Sequence, residues 1–252
     1  MSAPANLRLP TRRYALGAGF ALEGLKYFRY WLIAAVILSV ALPLFIAQFN
    51  DIRLSAWFYA ANVGKWFTAF VGGGFVYSLV PNMIAAGLTR RELAVSMGVF
   101  GLLWSALLGA IAFAGLVAER YLYGALDWSH GIDAHDVIAP IGSLGDTVAL
   151  GASYPLLYLV YFAAGTVIGA ASYRWEASGW LLLVPIVPIV FSLDNGLFDT
   201  EPVGPGWAGF LGLFMDGWDR RLIVAAIVLA TAGLAAAAYR LLIDVPLRSK
   251  QA

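Results

Sequence analysis

Two short runs hold the residues best placed to do chemistry. The first is "SHGIDAHD" (Ser129–Asp136), which brings His130, Asp133, His135 and Asp136 within seven residues and contains both histidines of the chain. Imidazole and carboxylate together can bind zinc. No helix or strand is evident here to fix a geometry, and a hydrophilic loop carries such residues anyway, so the run reads as a solvated loop. The second is "AAGLTRRELAV" (Ala85–Val95), two arginines and a glutamate between long apolar stretches. Thr89 and Glu92 have the spacing of a capping box. Gly87 suits the left-handed position that closes a preceding helix. Arg90 and Arg91 then fall in a first helical turn, where the dipole disfavours cations. Something outside the helix must offset them: anionic headgroups, or an acidic or carbonyl-lined groove on a partner. No nucleophile and base pair up anywhere in the sequence. The chain is therefore expected to have no catalytic site, no metal and no directly bound cofactor.

The elements that position these runs are overwhelmingly apolar. The 252 residues are 61% hydrophobic and 12% charged, with a mean hydropathy of +0.79. A soluble domain is roughly 45–50% apolar. Lipid is the natural surrounding for the excess, which predicts an all-α membrane protein, one transmembrane domain over residues 1–252. Cysteine is absent, which excludes disulfides and thiolate metal sites. A net charge of +1 points to no partner, nucleic acid included. The N-terminus lacks the pattern of a cleavable signal.

A spanning helix needs about 20 apolar residues to cross roughly 30 Å of hydrocarbon. Five runs qualify: Trp31–Phe49, Trp66–Ala86, Leu93–Ala118, Val148–Tyr173 and Leu222–Tyr239. Gly179–Leu193 is shorter and carries Pro185 and Pro188, but counting it as a sixth span keeps the basic residues together. With both termini in the cytoplasm, Arg8, Arg12, Arg13, Lys26, Arg29, Arg90, Arg91, Arg174, Arg240, Arg248 and Lys250 lie inside. Only Arg53, Lys65, Arg120, Arg220 and Arg221 lie outside, as the positive-inside rule requires. Residues 10–30 mix basic and aromatic side chains and read as an interfacial helix on the inner leaflet; a plain extension of the first span is the alternative. Two outer segments are long, Glu119–Thr147 and Asp194–Arg221. The second contains "GPGWAGFLGLFMDGW" (Gly204–Trp218), which reads as a re-entrant element between the fifth and sixth spans.

With these boundaries the span interiors lack ionisable residues. Lys65, Glu119, Arg220 and Arg240 fall at span ends, where long side chains can snorkel to water. That weighs against an ion-coupled carrier. A phosphate loop is also missing: neither "GFALEGLKY" (Gly19–Tyr27) nor "VGGGF" (Val71–Phe75) has its spacing. Energy for transport would come from another chain. Gly165-x-x-x-Gly169 and the Gly72–Gly74 cluster permit close helix approach, within the subunit or against a second copy. Ser78, Asn82, Ser105, Tyr158 and Thr166 are the candidate polar groups along a substrate path. A path this apolar suits an amphipathic or lipid-like cargo. The cysteine-free, Ala/Gly/Leu-rich composition is compatible with a bacterial inner membrane.

The run Gly87-Leu88-Thr89-Arg90-Arg91-Glu92, between a second and a third span, resembles the first cytoplasmic turn of permease subunits in the type-2 ABC exporter family. The specific part of the match covers roughly Pro81 to Glu119. Beyond it the agreement is architectural: a basic amphipathic start, six spans, a long segment after the third, and a membrane-dipping stretch between the fifth and sixth. The resemblance implies that Gly87, Thr89, Arg90, Arg91 and Glu92 dock a separate ATPase subunit, with Arg12, Arg13, Lys26 and Arg29 as a second contact. It implies ATP and Mg bound by that partner, a second permease subunit of the same or related sequence, and export across the plasma membrane. Glu119–Thr147 is longer than many members show. The competing expectation is a non-transporting membrane scaffold or assembly factor.

Overall fold

The computed structural model describes residues 9–134, 137–198 and 218–244. The chain forms α1 (Leu9–Ile46), α2 (Ala56–Ala85), α3 (Arg90–Ala125), a hairpin of β1 (Gly131–Ala134) and β2 (Val137–Pro140), α4 (Leu144–Gly151) and α5 (Tyr154–Trp175). A 3-10 helix (Glu176–Leu182), α6 (Leu183–Phe198) and α7 (Arg220–Ile243) follow. Among the described residues, five helical stretches are long and apolar enough to cross a membrane: Arg13–Ile46, Ala56–Ala85, Arg90–Ala125, Leu144–Phe198 and Arg220–Ile243.

Residues 10–30 form the plain helical extension of the first span that stood as the alternative reading. α1 is one helix of 38 residues, about 57 Å at the usual rise. No glycine, proline or capping residue interrupts the stretch from Arg29 to Val36, and α3 braces α1 from the side. Gly17 lies so close to α3 that a Cβ there would come within 2.6 Å of the Ser96 carbonyl oxygen, and one on Gly24 would touch Trp104 at 3.4 Å. The two helices run parallel.

α2 starts ten residues before the expected boundary. Ser55 caps it, accepting from the Phe58 amide at 3.0 Å. α3 likewise runs past Ala118 to Ala125, because Glu119 and Arg120 find partners beside the helix instead of ending it. Arg120 donates to the carbonyl oxygens of Ile141 and Gly142, both at 2.9 Å. The segment Ser129–Asp136 is not a plain loop: β1 pairs antiparallel with β2, from Gly131↔Pro140 to Ala134↔Val137. His135 and Asp136 lie outside the described residues. The hairpin is held to the start of α2 by the Ser55 amide, which donates to Gly131 O at 2.8 Å.

The expected span over Val148–Tyr173 is divided. α4, opened by a Ser143–Asp146 capping box, ends at Gly151, and α5 restarts with Pro155 in its first turn, where proline fits. At Glu176 the backbone turns through φ +53° and the chain doubles back along α5. Gly179 sits against the backbone of Ala171, Asp194 meets Tyr161, and the Phe198 ring lies 5.5 Å from that of Tyr154. The stretch expected over Gly179–Leu193 thus extends to Phe198. The expected re-entrant run Gly204–Trp218 lies outside the described residues except for Trp218, as do Arg8, Arg248 and Lys250.

The core forms where α2, α3 and α5 meet, around Phe100, Trp104, Val76, Val80 and Leu157, all essentially inaccessible. The glycines expected to permit close approach do so within the chain. A Cβ on Gly165 would fall 2.0 Å from the Ala69 carbonyl oxygen, and one on Gly169 would fall 2.3 Å from that of Gly73. α7 packs on α5 and α3.

Candidate functional site

Two places in the bundle concentrate polar chemistry: the turn at Thr89, and the interior around Lys65 some way along α2.

At the turn, local spacing dictates local structure. Gly87 has φ +86°, a conformation glycine adopts without cost. The Thr89 hydroxyl accepts from the Glu92 amide at 3.2 Å, and the Glu92 carboxylate accepts from the Thr89 amide at 3.0 Å. Both halves of the capping box are made. Arg90 answers part of the dipole problem within the chain. Its guanidinium donates to the Ile243 carbonyl oxygen at 3.4 Å, at the last turn of α7, where a helix presents its negative end. Arg174 and Asp244 bring the end of α5 to the same place, at 3.8 Å. Arg91 is exposed.

The basic residues of α1 divide. Arg13 lies beside the turn, its carbonyl oxygen accepting from Ser96 Oγ at 2.7 Å. The Arg12 side chain is outside the described set. Lys26 and Arg29 lie about 20–24 Å further along the helix, at the level of Trp104. There Lys26 pairs with Glu23 at 2.7 Å and Arg29 stacks on Tyr30. The structure places the Arg13 backbone against Ser96, one turn beyond Glu92, and sets Lys26 and Arg29 further along the helix.

The interior site is one the sequence reading missed. Lys65 is not at a span end: it lies inside α2, its side chain 6% exposed, and forms an ion pair with Asp194 of α6, also 6% exposed. Tyr161 of α5 donates to the same carboxylate oxygen at 2.8 Å. The ammonium also lies over the rings of Phe198 and Tyr161, at 5.3 and 5.8 Å. The other Asp194 oxygen and the Tyr154 hydroxyl are buried with no hydrogen-bond partner among the described residues. Ionisable groups therefore do occur within the apolar helices, against expectation, because each neutralises the other. A second buried carboxylate, Glu119 on α3, accepts from Ser55 Oγ, from the Trp57 amide at 2.9 Å, and lies 3.2 Å from His130 Nε2. That contact gives His130 a structural partner. The side chain of Asp133 is outside the described set, and among the described residues no group of three histidines or carboxylates is arranged to hold a metal.

The five candidate path residues do not converge. Ser78 Oγ donates to Gly74 O, Asn82 to Ser78 O and Thr166 to Phe162 O, each one helical turn back. Tyr158 donates across to Ala61 O at 2.9 Å. Ser105 is buried, its hydroxyl without a partner among the described residues. A composition rule could have found Lys65: a lone lysine among aromatic residues, nine positions into a helix opened by a serine cap.

The fold defines a multi-pass helical bundle of membrane-spanning character. Comparison with family models, curated proteins and solved structures finds no match, and so none that identifies an ABC permease.

Proposed function

We propose that the chain is the membrane-spanning permease subunit of an ATP-driven exporter, with six spans and both termini on the inner face of the plasma membrane. In this reading α5 and the returning 3-10 helix with α6 are the fourth and fifth spans, and residues around 204–218 dip back into the outer leaflet. A separate ATPase subunit docks at Gly87–Glu92 and binds ATP and Mg. A second permease subunit, the same or related, completes the path for an amphipathic, lipid-like cargo.

One observation carries the reading. The Thr89 turn is a stiff, basic knuckle joined to three helices at once. It ends α2, it begins α3 through a complete capping box, and through Arg90 it grips the end of α7. A push on such a turn moves all three helices together. Arg91, at its tip, remains exposed for an acidic or carbonyl-lined surface on a partner.

The buried Lys65–Asp194 pair favours a second reading, a carrier driven by an ion gradient, since intramembrane ionisable residues usually mark ion or proton paths. It ranks second because the pair is neutral as it stands. Gaining or losing one proton would leave a lone buried charge, the costly state.

Purification from native membranes in mild detergent separates these readings. A permease subunit brings down a nucleotide-hydrolysing chain; a scaffold or an ion-driven carrier does not.

A further inference from the structure

α2 and α6 pack on α5 from either side and meet each other around Lys65–Asp194 and Trp66–Phe191. Between them runs a slot of about 260 Å³. Gly165 and Ile168 of α5 form its floor, Phe70 and Gly74 one wall, and Ile186 and Val190 the other. From Tyr161 to Ser172 the floor is about 16 Å long. Its surface is almost wholly apolar.

The two ends differ. Toward Lys65 the slot is shut. The Tyr161 ring lines it while its hydroxyl is committed to Asp194, and Trp66 closes over Tyr161 and Phe191 with ring separations of 5.5 and 5.1 Å. Toward Glu176 lies a more polar hollow of about 450 Å³, lined by Tyr173 and sharing Tyr77 and Trp180 with the slot. Ser172 lines both spaces; it is 2% exposed, and among the described residues its hydroxyl has no hydrogen-bond partner. A buried hydroxyl is costly to leave unpaired, so this one can take a polar group where the apolar slot adjoins the polar hollow.

We propose that the slot binds one acyl or alkyl chain of a lipid-like amphiphile. The tail lies along Gly165 and Ile168 toward Trp66, and a hydrogen-bonding head group rests at Ser172 in the hollow. A helix is about 10–12 Å across, so a second copy would rest across the mouth of the slot, whereas an extended alkyl chain lies along its floor. The assignment deepens the exporter reading by giving its cargo a site, but the binding itself needs no ATPase.

Gly74 allows a clean test. It lines the slot, and a Cβ there meets nothing within 4 Å, so a larger side chain starts from Gly74 without a clash at its first atom. The full chain is reconstituted in phosphatidylcholine vesicles with a lysophosphatidylcholine that carries a diazirine in its tail. Crosslinks are then mapped by mass spectrometry. The expected result is labelling concentrated on the slot, reduced several-fold by Gly74→Trp, with Gly74→Leu intermediate. Ser172→Ala is expected to weaken labelling while leaving its position unchanged. Labelling as strong on the exposed α7 face at Leu222 and Leu229, or unmoved by either Gly74 variant, identifies ordinary surrounding lipid and overturns the proposal. So do crosslinks between two copies through the slot. Loss of the slot would leave the role of the Thr89 turn intact, and a missing ATPase would leave the labelling intact.

Discussion

Lys65 of α2 and Asp194 of α6 meet as an ion pair in the interior of the bundle, each side chain 6% exposed. Helices in lipid gain little from hydrophobic attraction and rely on packing and polar contacts. This pair, with Tyr161, ties three helices at one carboxylate. Lys65→Met or Asp194→Leu alone should lower stability by about 3–5 kcal/mol, because each leaves a buried charge without its partner. The double variant should recover most of that loss, since replacing a buried pair by apolar groups is often near neutral. Thermal unfolding in detergent, read as a double-mutant cycle, checks this. A double variant as unstable as the two singles summed would show that the residues do not act as a pair.

Glu119→Ala should free the start of α2 and the hairpin together. The variant removes the acceptor of the Trp57 amide and of Ser55 Oγ, and the contact of His130. Each orphaned buried donor costs about 1–3 kcal/mol. Hydrogen exchange at the Trp57 amide should speed up markedly, with protease sensitivity rising in residues 51–55. Unchanged exchange there would deny Glu119 this role.

Gly165→Ala and Gly74→Ala should differ sharply. The first places a Cβ 2.0 Å from backbone oxygen across the α2–α5 contact and should cost upward of about 1–3 kcal/mol as overpacking. The second meets open space and should be neutral, or stabilising by up to about 1 kcal/mol through helix propensity. Melting temperatures of the two variants measured side by side decide the point.

What could be read from the sequence was what is local. Thr89 and Glu92 are three residues apart, and their capping box follows from spacing alone. The small residues Gly165 and Gly169 signalled close approach, though not that α2 supplies the partner. Long-range pairings were invisible. Lys65 finds Asp194 across 129 positions, and Arg90 finds Ile243 across 153. A charge without a visible partner reads as a helix end, so the sequence pattern stops short of the true ends of α2 and α3. The hairpin was missed for a similar reason: four-residue strands carry little pattern, and Ser55, far away in sequence, fixes theirs. The slot was missed because Gly74 and Ser172 look like ordinary span residues until the helices are placed around them.

The most direct test of the central claim uses Arg91, because it is exposed and its replacement leaves the Arg90–Ile243 contact in place. Wild-type protein and Arg91→Glu are purified from native membranes, and the nucleotide hydrolysis that accompanies each is measured. Like charges set against each other at an interface cost several kcal/mol, so the variant should retain its helical fold and lose the associated ATPase about tenfold or more. An Arg91→Glu protein that keeps its full complement of ATPase, or a wild-type protein that never carries one, would contradict a docking role for this turn.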